Sequence, residues 1–336
     1  MHKKIKIRKK VWDIFWYWVK ERQNIFYKRL RGEPAPWTND KIFQTYKFTN
    51  AYRVCDRTSQ YLLKNVIYCA NKKEFDERDI VFRILLFKIF NKIETWKALE
   101  NKFGVIKASN FDFESYYNFI RDLNNKQAVL SSAYMLSTAS PKYLYGMPTR
   151  FGNYLMFLNT AIFKDKLYKR IIGAKCLSLR FVYKLLLQYK GLSRFLAYQY
   201  SIDLNYSELI NFDEDSFVVA GGGALRGIEK MVVDHDKCKP EHIIMKMVKE
   251  QNRTSFSHYN LFGRDLKAID LQNVFCEVDK YTRVKYPELD YKLGFAKLGK
   301  LKRIKHKFVS NDEPINYFFP PKWRITKKKI KQRMKS

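Results

Sequence analysis

The chain has 336 residues, 46% of them hydrophobic, enough to bury a substantial core in one large or two ordinary domains. The 65 Lys and Arg residues, against 33 Asp and Glu residues, give a formal net charge of +32, more than solubility requires. This composition excludes an intrinsically disordered basic protein and predicts a globular protein with a polyanionic partner.

Two terminal runs concentrate the positive charge. Residues 3–10 (KKIKIRKK) and 327–333 (KKKIKQR) are dense in Lys and Arg. Such runs are typical of mobile arms that contact phosphates, and adsorption to a membrane surface is the alternative. Because the rest of the chain is also clearly positive, nucleic acid is the favoured partner.

The cysteines and the aromatic stretch near the start indicate a cytoplasmic protein. Five widely spaced Cys residues without a C-x-x-C pair predict reduced thiols and no metal centre. Residues 11–19 (VWDIFWYWV) contain an Asp and run into charged residues, so no membrane span is expected. The adjacent residues 234–236 (DHD) cannot all face one ion, and we expect neither metal nor cofactor.

Helical spacing of apolar residues predicts an all-α fold. The predicted helices cover residues 11–31, 40–69 with a possible break, 78–91, 113–123, 126–138, 155–189 with an interruption at Gly173, 195–204, 224–233 and 266–281. Pro34 and Pro36 separate the first two of these helices. The segment 141–153, with its Gly and Pro residues, predicts a loop and a boundary between two helical lobes.

A glycine-rich segment, residues 215–228 (DSFVVAGGGALRGI), lies in the second lobe. We interpret it as a helix end, a hairpin of Gly221, Gly222 and Gly223, and a new helix carrying Arg226 and Gly227. Glycines permit positive φ and let backbone N–H groups approach a phosphate at the positive end of a helix. The segment therefore suits a helix-hairpin-helix DNA clamp, and an ordinary Gly-rich corner between helices suits it equally well.

Residues 276–284 (CEVDKYTRV) resemble the stretch after the hairpin in the helix-hairpin-helix DNA glycosylase superfamily, where an Arg-Val pair follows a Val-Asp pair. The resemblance implies that Asp279 is the catalytic carboxylate, with Lys280 and Arg283 on the DNA side. A fixed carboxylate stabilises the positive charge that develops on a sugar when its bond to the base breaks. Glu277 is a second candidate, and capping of a helix is the alternative role for either carboxylate.

This resemblance has two departures. Leu225 stands where bifunctional glycosylases carry a nucleophilic lysine, so strand cleavage through a Schiff base is not expected. Some 55 residues separate the hairpin from Asp279, a longer interval than is usual in those enzymes.

A second resemblance covers most of residues 20–285. It rests on 22–29 (RQNIFYKR), 36–42 (PWTNDKI), 48–57 (FTNAYRVCDR), 194–204 (RFLAYQYSIDL), the glycine turn and 271–281 (LQNVFCEVDKY). These stretches resemble the glutamyl/putrescinyl-thymine pyrophosphorylase family, which is considered related to DNA glycosylases. The resemblance implies a helical domain associated with hypermodified thymine and with a kinase of 5-hydroxymethyluracil in DNA. The chain has no G-x-x-x-x-G-K-[ST] motif, so the kinase itself is not expected here.

A base pocket is expected around residues 48–57 of this resemblance. Asn50, Arg53 and Asp56 are spaced by three, which predicts one polar helix face, next to an aromatic ring, that suits a flipped base. The expected pocket residues are Trp37, Phe48, Asn50, Arg53, Asp56 and Gln199. An ion pair between Arg53 and Asp56, and a Trp37 side chain buried in the core, are the alternatives.

Together these features predict a glycosylase-like fold with a DNA and base cleft between two helical lobes. We expect a basic arm (1–10), two lobes (11–150 and 151–310) and a basic tail (311–336). The expected activity is a monofunctional DNA glycosylase that flips and excises a modified pyrimidine from double-stranded DNA, such as phage DNA, without an obligate protein partner. The alternatives are a transferase that displaces pyrophosphate from activated 5-hydroxymethyluracil and a non-catalytic DNA-binding protein.

Overall fold

A computed structural model describes residues 5–131, 142–173, 178–254, 256–293 and 316–335 of the chain. Cys176 and most of the helix predicted at 126–138 lie outside these residues. In the described ranges no helix is both long and apolar enough to cross a membrane.

The described chain is helical, as predicted. Its helices are α1 (Lys9–Leu30), α2 (Lys41–Thr45), α3 (Arg57–Tyr61), α4 (Glu77–Phe90), α5 (Ile93–Phe103), α6 (Phe113–Lys126), α7 (Lys142–Tyr145), α8 (Arg150–Asn159), α9 (Leu167–Ile172), α10 (Leu179–Leu187), α11 (Arg194–Asn205), α12 (Gly222–Met231), α13 (Pro240–Glu250), α14 (Ala268–Lys285), α15 (Pro287–Lys292) and α16 (Lys327–Lys335). Within the described residues, β pairing is limited to two isolated bridges, Ile7 with Val232 and Leu261 with Arg264. The all-α prediction is confirmed.

Residues 40–69 and 141–153 are among the stretches that differ from their predictions. The helix expected over residues 40–69 is replaced by two short α-helices, a 3₁₀ turn at Arg53–Cys55 and a π-helical segment at Leu62–Ile67. The loop expected at 141–153 contains α7 and the start of α8, which Thr149 caps by accepting a hydrogen bond from Gly152 N at 3.1 Å.

The chain forms two compact units. Unit 1 consists of Met1–Asp56, Phe217–Tyr317 and Arg324–Ser336, and unit 2 of Arg57–Ser216 and Phe318–Trp323. This division differs from the boundary expected near residues 140–153, which falls inside unit 2. Each unit combines segments that are distant in the sequence, so a boundary cannot be read from a local change in composition.

Unit 1 is built around α14, most of whose residues are buried. Helices α1 and α12 pack along it, and the pairing of α12 with α14 is the most extensive among the described helices. Apolar side chains of α14 such as Leu271, Phe275 and Val278 are inaccessible to solvent. Burial of side chains of this size contributes about 1.5–3 kcal/mol each, so α14 anchors the unit.

The basic run at the start of the chain is held against unit 1. Arg8 N donates to Met231 O at 2.8 Å, and Arg8 Nη1 donates to Glu229 O at 2.7 Å and Val232 O at 3.0 Å. These contacts satisfy carbonyls at the end of α12. For residues 5–10 the expectation of a mobile arm is therefore wrong, since these residues form a bridge and the first turn of α1.

The basic run at the end of the chain forms α16, which belongs to unit 1. The Arg333 guanidinium lies over the ring of Tyr27, 5.2 Å from its centre. This part of the predicted tail is a docked helix.

Unit 2 has an apolar core crossed by a few buried charges. Helix α4 is buried on all sides, and its Arg83 donates to the carbonyl oxygens of Val66 at 2.9 Å and Ile106 at 2.7 Å. Lys88 of α4 pairs with Asp203 of α11 at 3.2 Å. Both buried cations of α4 thus have partners within the unit, carbonyl oxygens for Arg83 and a carboxylate for Lys88.

Candidate nucleic-acid and base-binding site

Asp279 lies at the centre of an ion cluster between α12 and α14. Its Oδ2 accepts hydrogen bonds from Arg226 Nε at 3.1 Å and from Arg283, and Lys230 Nζ lies 2.9 Å from Oδ1. Lys230 is fully buried and also pairs with Asp290 of α15 at 2.8 Å. The cluster therefore joins α12, α14 and α15.

The charges around Asp279 decide its protonation. Burial by itself raises the pKa of this carboxyl, but the positive charges of Lys230 and Arg283 and their hydrogen bonds hold the pKa below its ordinary value. Asp279 is thus a fully buried, ionised carboxylate surrounded by three cations. This arrangement suits a structural ion cluster, and the catalytic role expected for Asp279 stays a prediction.

The glycines of the predicted hairpin serve close helix packing. A Cβ atom at Gly227 would lie 2.2 Å from Phe275 O, and one at Gly223 would lie 2.9 Å from Cys276 Sγ. Gly221 has φ of −84° and precedes the first turn of α12, and Gly222 is exposed at its start. None of the three glycines has a positive φ, so that expectation is not observed. The hairpin is not observed either, because α11 ends at Asn205 and residues 206–221 are not helical.

Glu277 and Asp279 contact different parts of unit 1, as their spacing on one helix predicts. Glu277 Oε2 accepts a hydrogen bond from Thr49 N at 3.3 Å, and its Oε1 accepts one from Lys280. Glu277 is 3% exposed, whereas the side chain of Lys280 is 34% exposed. Of the predicted DNA contacts, Lys280 and Arg226 reach solvent, while the Arg283 side chain is 9% exposed in its ion pair with Asp279.

Asn50, Arg53 and Asp56 lie in a looped segment, so the helix face predicted for them is wrong. Asn50 N donates to Asp56 Oδ1 at 2.7 Å, and Asn50 Nδ2 donates to Cys55 O at 2.8 Å. Arg53 N donates to Asp270 Oδ1 of α14 at 2.7 Å. Polar side chains thus fold the segment back on itself and bind it to α14.

Asp56 is a half-buried acid whose pKa is raised. Burial raises its pKa to about 6, the hydrogen bonds from Asn50 and the charge of Arg22 oppose the shift, and the charge of Glu277 adds to it. The side chains of Arg22, Asp56 and Glu277 therefore lie close enough to influence one another inside unit 1.

A cavity of about 220 Å³ lies in unit 1 beside this cluster. Its lining consists of Arg22, Ile25, Arg29, Ala35, Pro36, Trp37, Thr38, Phe43, Gln44, Tyr46 and Phe48. Two predicted pocket residues, Trp37 and Phe48, are among them, whereas Asn50, Arg53 and Asp56 are not. The lining contains two arginines and, among the described residues, no carboxylate.

The walls of the cavity are held by specific contacts. Trp37 Nε1 donates to Glu33 O at 2.6 Å, and the Arg29 guanidinium lies 4.8 Å from the centre of the Trp37 ring. Arg22 Nε donates to Thr49 O at 2.9 Å. Its Nη1 is buried and has no hydrogen-bond partner among the described residues. The cavity thus combines fixed aromatic walls with an arginine whose hydrogen-bonding capacity is not filled.

The sequence contained a signal for the arginines of this cavity. Arg22, Ile25 and Arg29 follow the i, i+3, i+7 spacing of one helix face, and all three lie in a stretch on which a family resemblance rests. Gln199, the remaining predicted pocket residue, belongs to unit 2 and is fully buried in α11. In the described part of the chain, no group of three or more His, Cys, Asp or Glu side chains could hold a metal ion.

Comparisons with known proteins identify the family. The family model described as "5-hmdU DNA kinase, helical domain" matches residues 9–291. A relative from Bacillus phage SP10, named 5-hmdU DNA kinase, is 23% identical over 329 residues, covering 92% of this chain and 50% of the relative. The chain thus spans about half the length of that relative. No solved structure matches the chain.

These matches confirm one part of the resemblance and correct the expected activity. The association with a kinase of 5-hydroxymethyluracil is confirmed at the level of the family. The DNA glycosylase activity is wrong, because the relative is named as a phosphoryl-transfer enzyme, and that name does not favour the pyrophosphate-displacing transferase either. Membership of the helix-hairpin-helix glycosylase superfamily stays a prediction. The chain belongs to the family of 5-hmdU DNA kinase helical domains.

Proposed function

We propose that this chain is the substrate-binding part of an enzyme that phosphorylates 5-hydroxymethyluracil in DNA. It binds the DNA and holds the modified base, flipped out of the duplex, in the cavity of unit 1. Binding of the phosphoryl donor is assigned to another part of the enzyme, because the matched family is the helical domain of the kinase. Proteins catalyse phosphoryl transfer largely by positioning and electrostatic stabilisation, and a domain that holds the base in place supplies the positioning.

The composition of the cavity carries this proposal. A base taken out of a duplex is held by stacking on aromatic side chains and by hydrogen bonds to its edge. Trp37 and Phe48 supply aromatic walls, and Arg22 and Arg29 supply donors for the carbonyl oxygens of a pyrimidine. A carboxylate in the lining would repel those oxygens, and the described lining has none.

The charge of the chain supports DNA as the polymer that carries the base. A net charge of +32 favours a phosphate backbone, and phosphate contacts add affinity without selecting a base. Selection of the hydroxymethylated base is then left to the cavity.

The test compares duplexes that differ only in one base. We expect tighter binding, by fluorescence anisotropy, to a duplex with one 5-hydroxymethyluracil than to the same duplex with thymine. Trp37→Ala should weaken binding to the modified duplex by about 5- to 150-fold, the loss of about 1–3 kcal/mol of stacking, and Trp37→Phe should restore part of it.

The matched control is Trp12→Ala, because Trp12 is half-buried on α1 and does not line the cavity. It should keep the preference for the modified base. Circular dichroism checks that both variants are folded. Equal affinity of the wild-type protein for both duplexes would refute the assignment of the base to this cavity.

A further inference from the structure

Unit 2 carries a strongly basic surface that lies apart, in the sequence, from every residue of the cavity. Between residues 164 and 194 there are nine Lys and Arg residues and a single acid, Asp165. Between residues 77 and 126 of the same unit there are nine Lys and Arg residues and seven Asp and Glu residues. The charge of unit 2 is therefore segregated and not merely a share of the overall excess.

Eight of these nine cations are exposed, and the ninth, Lys175, lies outside the described residues. We call the eight the basic face: Lys164, Lys166, Lys169, Arg170, Arg180, Lys184, Lys190 and Arg194. Their elements pack against one another, since α9 contacts both the segment before it and α10, and α10 packs along α11. The cations therefore belong to neighbouring elements of one unit.

Specific contacts order the basic face. Arg170 of α9 donates to Gln188 Oε1, just after α10, at 3.0 Å, and Tyr145 Oη donates to Lys190 O at 3.3 Å. Asp165 is half-buried near Tyr189, where burial raises the pKa of the tyrosine and the charge of Asp165 raises it further. Asp165 thus lies near the buried Tyr189 hydroxyl, and the basic face keeps a large excess of positive charge.

Helix α10 presents its cations in a row. Arg180 and Lys184 are exposed and four residues apart, with Leu187 exposed one turn further, while Leu179, Val182, Leu185 and Leu186 form the buried side. From Arg180 to Lys184 a helix rises about 6 Å. That length spans roughly two nucleotides at about 3.4 Å each along one strand.

We infer that the basic face of unit 2 binds the sugar-phosphate backbone of the DNA whose modified base is held by unit 1. The inference rests on the proposed function for the identity of the polymer. Lysines on flexible stems suit phosphate contacts that do not read sequence, so this surface contributes affinity and salt dependence but no choice of base.

The experiment measures the salt dependence of DNA binding with two matched triple variants of the full chain. Lys169→Gln/Lys184→Gln/Lys190→Gln removes three charges from the basic face. Lys97→Gln/Lys102→Gln/Lys126→Gln removes three exposed lysines from the balanced region of the same unit. Affinity for an unmodified duplex is measured by anisotropy between about 50 and 200 mM salt, the range over which phosphate contacts are lost.

Each lost phosphate contact lowers the slope of log affinity against log salt by about 0.9. We expect the first variant to lower the slope by about 2 to 3 and the second to leave it within error of the wild type. The affinity ratio between modified and unmodified duplexes should be unchanged in both variants.

Three outcomes would overturn the inference. An equal decrease of the slope in both variants would mean that only overall charge matters. A wild-type slope in the first variant would mean that the basic face does not contact DNA. Loss of binding to anionic lipid vesicles, with DNA binding intact, would assign the face to a membrane. Since the base preference is a separate readout, failure of the cavity proposal would remain distinguishable from failure of this one.

Discussion

Asp279 belongs to a stretch that carries a family resemblance, and it also lies at the centre of a structural ion cluster. Its partners Arg226 and Lys230 precede it by some 50 residues, so the sequence around it could not reveal that its oxygens are shared among three cations. Removing one partner of such a buried cluster leaves uncompensated charge and costs about 3–5 kcal/mol. Loss of function in a variant of Asp279 would therefore have to be separated from loss of folding.

Asp56 gives a prediction about pH. Its pKa is raised from the ordinary 3.8 to about 6, so between these values the folded protein holds a proton that the unfolded chain releases. The contribution of Asp56 to the free energy of unfolding is therefore greatest at low pH and falls as pH rises from about 4 to 6. Asp56→Asn lacks this titration, so its stability relative to wild type should rise by up to about 3 kcal/mol over that range.

Urea denaturation of both proteins at pH 4, 5, 6 and 7 measures this difference. Asp13→Asn is the control, because Asp13 is an exposed partner of a surface ion pair and its replacement should cost less than about 1 kcal/mol throughout. A stability of Asp56→Asn relative to wild type that is constant with pH, or that falls as pH rises, would contradict the raised pKa of this carboxyl.

At the scale of elements, α12 and α14 approach each other closely because two glycines leave room. Gly223 and Gly227 are four residues apart and so lie on one face of α12, against Cys276 and Phe275 of α14. The pattern was visible in the sequence, but it fits a hairpin for phosphate binding as well as a close helix contact. The two interpretations are separated only by knowing that residues of α14 face these glycines.

Gly227→Ala is expected to be poorly tolerated. The new Cβ would meet backbone, which cannot move without separating the helices, so we expect a loss of about 1–3 kcal/mol or more in the free energy of unfolding. The matched control is Gly222→Ala, where the nearest atom to a Cβ is Arg226 Nη1 at 3.9 Å. Thermal denaturation should show a lowered midpoint only for Gly227→Ala, and similar midpoints for the two variants would contradict the packing described.

Long periodic helices were predictable, and the segment that carries the expected pocket residues was not. Helices α1, α4, α11 and α14 lie close to their predicted bounds because their apolar faces repeat over several turns. Residues 46–56 are shaped instead by contacts with distant groups, such as Tyr52 Oη with Arg264 O at 2.6 Å. Spacing within the segment could not reveal these partners, so the prediction of a helix was wrong. Phe48, which was predicted to line a pocket, does line the cavity.

At the scale of the whole molecule, we propose a division of tasks between two units. Unit 1 has the cavity and the residues for which base binding is proposed, and unit 2 has the segregated basic face. Affinity from phosphates and selectivity from a base pocket are separable in free energy, since phosphate contacts carry no sequence information. Variants of one unit should therefore change one property and leave the other.

The most direct test of the account is whether the modified base leaves the duplex on binding. A fluorescent base that is quenched by stacking, such as 2-aminopurine, is placed next to one 5-hydroxymethyluracil in a duplex, and its emission is followed during titration with the protein. We expect emission to rise to saturation with the wild-type protein, and to rise little with thymine at that position or with Trp37→Ala. Saturated binding of the wild-type protein without any rise in emission would contradict the proposal that this chain holds a flipped base.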